Sequence, residues 1–65
     1  MPTSGPTLRR ERRSADITTV ALAAQMKISR ATLWTIEKSA APSPEYVASF
    51  REAVKTLRDA KDEAA

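Results

Sequence analysis

The residues of this chain with the clearest potential for binding chemistry lie between Ser29 and Lys38. Leu33 and Ile36 are spaced to occupy the inner side of a helix, which leaves more polar residues for its outer side. Two cations and a hydroxyl group on one exposed helix face are suited to hydrogen bonding with an anion such as phosphate. The outer residues are Arg30, Ala31, Trp34, Thr35 and Lys38.

The composition argues against an enzyme and against a metal or cofactor site. The 65 residues include no cysteine and no histidine. Disulfides, thiolate metal sites and zinc fingers are therefore excluded, since zinc would have only carboxylates as ligands. The eight acids are scattered along the chain and form no visible catalytic constellation. We expect a binding protein with no cofactor and no metal.

Positive charge is unevenly distributed along the chain, whose net charge is +3. Residues 1–42 contain seven Lys or Arg and three acids, whereas residues 43–65 contain four Lys or Arg and five acids. A basic first part is expected if that part faces phosphate. Basic surface helices are also common, so this bias alone favours nucleic acid only modestly.

The elements that position these residues are predicted to be the helices of one small domain. The stretch from Thr19 to Lys38 has the pattern of a helix, a tight turn and a second helix, with Ala23 where the two cross most closely. We predict an all-α fold, a compact bundle of four to five helices with a helix-turn-helix. Its parts are a flexible N-terminal arm at 1–6, the helix-turn-helix domain at 7–61 and a frayed C-terminus at 62–65.

Hydroxyl side chains precede the predicted helices and are suited to capping their free amides. Pro44 and Glu45 strengthen the last helix start, because proline fits the first helical position and glutamate favours the positive end of the dipole. Lys27 occupies the tight turn, where a positive φ would cost on the order of 1 kcal/mol. Either the turn has another geometry, without a positive φ at Lys27, or the domain tolerates the strain. The expected N-caps are Thr7, Thr18, Ser29 and Ser43.

An apolar stripe runs along the last predicted helix at spacings of three and four residues. Its simplest interpretation is that it covers the short first helix as part of the core. The alternative is a docking surface, together with Tyr46, for another protein. The stripe consists of Val47, Phe50, Val54 and Leu57.

Four segments of the sequence resemble one known family. They are LRRERR from Leu8, ITTVALAA from Ile17, ISRATLWTIEK from Ile28, and PSP from Pro42. This pattern resembles the phage Cro and repressor class of helix-turn-helix proteins, also called the XRE family, over residues 8 to about 57. The resemblance implies a lambda-repressor-like helical domain that binds double-stranded operator DNA and regulates transcription.

The resemblance implies that the helix at residues 29–38 reads bases in the major groove. Arg30 is the strongest candidate, because a guanidinium group can meet guanine O6 and N7 together. A phosphate contact by Arg30 is nearly as good an interpretation. Trp34 either packs on a sugar or thymine methyl, or folds over Arg30 or Lys38 or onto a partner subunit. The implied base-reading residues are Ser29, Arg30, Ala31, Trp34 and Thr35.

The resemblance also implies contacts with the DNA backbone and one structural ion pair. Arg12 and Glu37 match positions that the family often joins as an ion pair between the first and third helices. Arg12 has a second interpretation, which is a phosphate contact. The implied phosphate contacts are Thr19, Lys27, Lys38 and Arg12.

A homodimer, at least on DNA, would present two recognition helices about 34 Å apart to a pseudo-palindromic site. The alternative function is a protein-interaction module, such as an antitoxin or phage-encoded inhibitor, that uses residues 46–57. No apolar run is long enough to span a membrane, and residues 1–5 lack the features of a signal peptide. We therefore expect the protein in the cytoplasm of a bacterial host, at the nucleoid.

Overall fold

The computed structural model describes residues 3–64, with only the backbone described at Ala64. Within this range all regular structure is helical, and four helices are present. The predicted all-α helical bundle is thus confirmed. The helices are α1 at Gly5–Ser14, α2 at Thr19–Met26, α3 at Arg30–Lys38 and α4 at Pro44–Ala64.

The core forms where α1 and α2 each pack against both α3 and α4. This pairing places α3 and α4 at opposite corners of the bundle. Four large side chains are fully buried at its centre, and smaller apolar residues surround them. The fully buried side chains are Leu8 from α1, Leu22 from α2, Leu33 from α3 and Phe50 from α4.

Three of the predicted N-caps are confirmed by hydrogen bonds to the free amides of the first turn. The N–H of Ala21 donates to Thr18 Oγ1 at 3.1 Å. The N–H of Thr32 donates to Ser29 Oγ at 3.1 Å. At the start of α4, the N–H of Tyr46 donates to Ser43 Oγ at 3.3 Å. Local sequence therefore fixes the starts of α2, α3 and α4.

The predicted start of the first helix is wrong. Ser4, not Thr7, caps α1, and the N–H of Thr7 itself donates to Ser4 Oγ at 3.3 Å. Gly5 and Pro6 lie inside the first turn, where proline lacks only an amide that would be unpaired anyway. The proposed arm at 1–6 therefore does not extend past Ser4, and its first two residues lie outside the described range.

Gly5 joins the start of α1 to the end of α3. Its N–H donates to the carbonyl oxygen of Ser39 at 2.7 Å. A Cβ atom added at Gly5 would lie 2.4 Å from the Ile36 carbonyl oxygen and 2.6 Å from Glu37 backbone atoms. Only glycine fits this approach without a shift of the backbone, so the residue sets the distance between α1 and α3.

The turns at both ends of α2 contain non-glycine residues with positive φ. Lys27 has φ 59° and ψ 42°, so the turn geometry is retained and the domain tolerates the strain. Its amide still donates to the carbonyl oxygen of Ala24 at 3.2 Å. Asp16, before α2, has φ 58°, a feature that the sequence analysis missed. Asp is one of the residues that adopt this conformation more readily.

The apolar stripe of α4 belongs to the core. Phe50 and Val54 are buried, and Val47 and Leu57 are partly buried and pack against the core cluster. Tyr46 is 45% exposed. The interpretation of this stripe as a docking surface is therefore wrong, because its side chains are already covered by α1 and α2.

The final turns of α4 extend past the predicted domain end at residue 61, as far as Ala64. They are joined to the α1–α2 loop by Lys61, whose Nζ lies 2.8 Å from Asp16 Oδ2. Ala65 lies outside the described range. In the described part of the chain, no helix combines the length and apolar character needed to cross a membrane.

Candidate nucleic-acid interface

The outer face of α3 is a continuous exposed surface. Ser29 caps the helix, Leu33 and Ile36 point into the core, and Glu37 is buried beside them. Each residue that the sequence analysis assigned to base reading is exposed, as is Lys38. We call this surface the recognition face: Ser29, Arg30, Ala31, Trp34, Thr35 and Lys38.

Trp34 and Lys38 form a cation–π pair on the recognition face. Lys38 Nζ lies 3.8 Å from the centroid of the Trp34 ring. Trp34 remains 60% exposed. The ammonium group lies over the ring and keeps its hydrogen-bond donors for a further partner. Of the two predicted placements of Trp34, folding over Lys38 is the one present in the free protein.

Hydroxyl groups on the recognition face are partly engaged within α3. Thr35 Oγ1 donates to the carbonyl oxygen of Ala31 at 3.0 Å. Ser29 Oγ and Thr32 Oγ1 lie 2.9 Å apart and share a hydrogen bond. Thr35 therefore has only acceptor capacity left for a ligand, whereas Arg30 has no recorded partner among the described residues and keeps its donors.

Two of the predicted phosphate-binding residues lie beside the recognition face. Thr19, at the first position of α2, lines a shallow depression together with Arg30, Ala31 and Trp34. Lys27 is exposed in the turn that joins α2 to α3. The start of α2 thus borders the same surface as α3.

Arg12 and Glu37 form a buried ion pair between α1 and α3. Arg12 Nε lies 2.9 Å from Glu37 Oε2, and the second guanidinium arm reaches Glu37 Oε1 at 3.3 Å. The remaining arm donates to the carbonyl oxygen of Ile17 at 2.7 Å. The predicted phosphate contact of Arg12 does not fit, because all three guanidinium nitrogens are occupied and the side chain is only 11% exposed.

The ion pair, the core residues and Gly5 together hold α3 in place. Arg12 fixes the side of α3 that carries Glu37, and Gly5 fixes its C-terminal end at Ser39. Leu33 anchors the buried side of the helix. A helix held at three points presents its outer side chains in one orientation, which favours recognition of a rigid partner.

Over residues 5–64 the chain matches the family described as the helix-turn-helix domain. The chain belongs to this family. Helix-turn-helix domains place the second helix of the motif in the major groove of DNA. In this chain the motif consists of α2 and α3, so α3 is that second helix. The family and the geometry together indicate a DNA-binding domain. Among curated proteins and solved structures, the comparisons found no match to this chain.

Two ion pairs of this helix-turn-helix protein were missed by the sequence analysis. Arg51 Nη2 lies 3.0 Å from Glu11 Oε2, and the hydrogen bond that Arg51 donates to this carboxylate raises the pKa of Arg51. Lys61 donates to Asp16, which lowers the pKa of that carboxyl group. These pairs link residues 40 and 45 positions apart, so no local pattern identifies them. In the described part of the chain, no group of side chains is arranged to hold a metal ion.

Proposed function

We propose that this protein is a sequence-specific regulator of transcription of the Cro or small-repressor kind, within the XRE class, that acts on the nucleoid of a bacterial host. It would read double-stranded operator DNA by inserting residues 29–38 of α3 into the major groove. The observation that carries the proposal is the recognition face, where every outward side chain of α3 is exposed. Thr19 and Lys27, at the two ends of α2, add a hydroxyl group and a cation.

Arg30 is the residue that we assign to base reading. Its guanidinium group is exposed and has the fork geometry to meet guanine O6 and N7, a contact worth about 1 to 3 kcal/mol of discrimination. Ala31 offers a methyl group to a thymine methyl. Ser29 and Thr35 contribute hydroxyl oxygens as acceptors, and Trp34 contributes an apolar edge next to the sugar.

Contacts with the backbone set the position of α3 in the groove. Lys38 carries an exposed ammonium group at the end of α3, and Lys27 carries another in the turn that precedes α3. Thr19 adds a hydroxyl at the start of α2, next to Arg30. These three residues would bind phosphates on either side of the groove. On a two-fold symmetric operator, a second copy would bind about 34 Å away.

Selection of random-sequence DNA duplexes by the purified protein, at near-physiological salt, tests the proposal. Sequencing of the retained duplexes should reveal a motif. An inverted repeat with half-sites about one helical turn apart would support a dimeric operator-binding regulator. A single half-site would support sequence reading by a monomer and contradict the homodimer. Retention of no DNA, or of DNA without any motif, would contradict sequence-specific regulation.

A further inference from the structure

Three exposed arginines on α1 have no role in the proposed reading of DNA. Arg9, Arg10 and Arg13 are exposed, whereas Arg12 points inward to its ion pair. The three arginines line one depression between α1 and α3, whose α3 side is formed by Glu37. They therefore lie next to the helix that carries the recognition face.

Two depressions that meet at neighbouring residues at the start of α2 lie between these arginines and the recognition face. Arg13 and Thr18 line a second depression, which lies at the junction of α1 and α2. The next residue, Thr19, lines the depression that contains Arg30 and Trp34. The surface lined by these depressions thus runs from α1 across the start of α2 to α3 without passing over α4.

The acids along this surface are already neutralised. Glu37 is buried and paired with Arg12. Asp16, which lies in the depression with Arg13, is paired with Lys61 at 2.8 Å. Arg9 and Arg13 have no recorded ion-pair partner among the described residues. Their positive charge is therefore available to an external anion.

We propose that Arg9 and Arg13 bind two neighbouring backbone phosphates of the same DNA duplex that α3 enters. This inference rests on the proposed function. The two residues are four positions apart on a helix, so their side chains lie next to each other on one flank of α1. Guanidinium groups pair with phosphate through two parallel hydrogen bonds. The result is a second line of contact, which we call the α1 phosphate strip, beside the groove occupied by α3.

The test measures how binding depends on salt, since each phosphate contact releases counterions. A fluorescein-labelled 24-base-pair duplex of mixed sequence is titrated with protein by fluorescence anisotropy at several KCl concentrations. Such a duplex suffices because phosphate contacts are independent of sequence. The variants are Arg9→Gln with Arg13→Gln and, as the control, Lys55→Gln with Arg58→Gln. The control removes the same charge from the groove between α1 and α4.

The α1 phosphate strip predicts that Arg9→Gln with Arg13→Gln lowers the slope of log K against log salt by about 1.8, the value for two phosphates on B-DNA. The control pair should leave the slope nearly unchanged, and Arg9→Lys with Arg13→Lys should restore it. Circular dichroism checks that each variant is folded. Equal slope loss in both glutamine pairs, or no loss in the first, would overturn the strip while leaving DNA binding intact. Failure of the wild-type protein to bind the duplex would overturn the proposed function and the strip with it.

Discussion

Arg30 and Lys38 carry the same charge on the same helix face, yet we assign them different partners on DNA. Arg30→Ala should remove discrimination at one base pair, at a cost of about 1 to 3 kcal/mol for the preferred site. Lys38→Ala should weaken binding to all sequences alike and lower the salt slope by about 0.9. Competition binding with the selected duplex and a scrambled duplex measures both effects. Equal losses on both duplexes for both variants would remove Arg30 from base reading.

Glu37 is expected to support the recognition helix without contributing to sequence preference. Glu37→Gln leaves the buried Arg12 without a counter-ion, so it should lower the free energy of unfolding by about 3 kcal/mol. Preference among DNA sequences should be retained where the variant is folded. Urea unfolding and competition binding at low temperature measure the two quantities. A change in base preference would instead give Glu37 a part in the contact with DNA.

Glu11→Gln is the matched control for Glu37→Gln, because it neutralises the acid of an exposed ion pair. Exposed pairs contribute little to stability, so the unfolding midpoint should stay nearly unchanged. The two glutamates lie in the same type of pair, Glu with Arg, and differ mainly in burial. A comparable loss in both variants would show that burial is not what makes the Arg12–Glu37 pair important.

The four arginines of α1 are the same residue type but have different roles in the fold. Four arginines occupy five positions, and only Arg12 is buried. Its inward position depends on Glu37 and on the carbonyl oxygen of Ile17, both of which become neighbours only in the folded chain. The resemblance to known repressors implied the ion pair, whereas composition and spacing alone left a phosphate contact open.

The close contact of α1 with α3 at Gly5 predicts how a substitution there changes the packing of the two helices. Helix propensity alone would make Gly5→Ala stabilising by up to about 1 kcal/mol. The added Cβ would meet backbone atoms of α3 at 2.4 to 2.6 Å, so α1 and α3 must move apart. We therefore expect the opposite sign, a loss of about 1 to 3 kcal/mol in urea unfolding. A more stable Gly5→Ala variant would contradict the close approach of these helices.

The last turns of α4 are held by an ion pair that responds to pH. The hydrogen bond and charge of Lys61 lower the pKa of Asp16 below its ordinary value of 3.8. Because the pKa of Asp16 is lower in the folded state, the pair stabilises the fold at pH values above the ordinary pKa of the carboxyl group. This contribution is lost as pH falls through the lowered pKa. The carboxyl carbon of Asp16, followed by NMR, should titrate below 3.8.

Lys61→Gln removes the charged partner and is the control for this titration. In that variant, the midpoint of Asp16 should rise towards its ordinary value, since the group is otherwise fully exposed. The amides of the final turns of α4 should also exchange faster than in the wild type. An identical midpoint in both proteins would mean that Lys61 and Asp16 are not paired in solution.

Helix boundaries were predictable where the signal is local. Thr18, Ser29 and Ser43 each cap the helix that follows, and the capping group lies within three residues of the amide that it binds. The start of α1 was not predictable in this way, because glycine and proline normally interrupt helices. Gly5 is required there by its distance from α3, which is a tertiary contact between residues 5 and 36–39.

At the scale of the whole molecule, the helix-turn-helix fold separates two surfaces. The recognition face lies on the outer side of α3, and α4 occupies the opposite corner of the bundle. Sequence periodicity predicted that Leu33, Ile36 and the apolar stripe of α4 face inward. It did not identify the long-range pairs Glu11–Arg51 and Asp16–Lys61, which depend on the folded arrangement.

The most direct test of the central claim is a map of backbone amide shifts in uniformly ¹⁵N-labelled protein titrated with a DNA duplex. We predict that the perturbed amides cluster in residues 29–38 and at Thr18 and Thr19, with further shifts near Arg9 and Arg13 from the α1 phosphate strip, while those of residues 48–60 on α4 stay unchanged. That pattern would show that DNA binds at the recognition face. Shifts concentrated in α4, or no saturable shifts at near-physiological salt, would contradict the account.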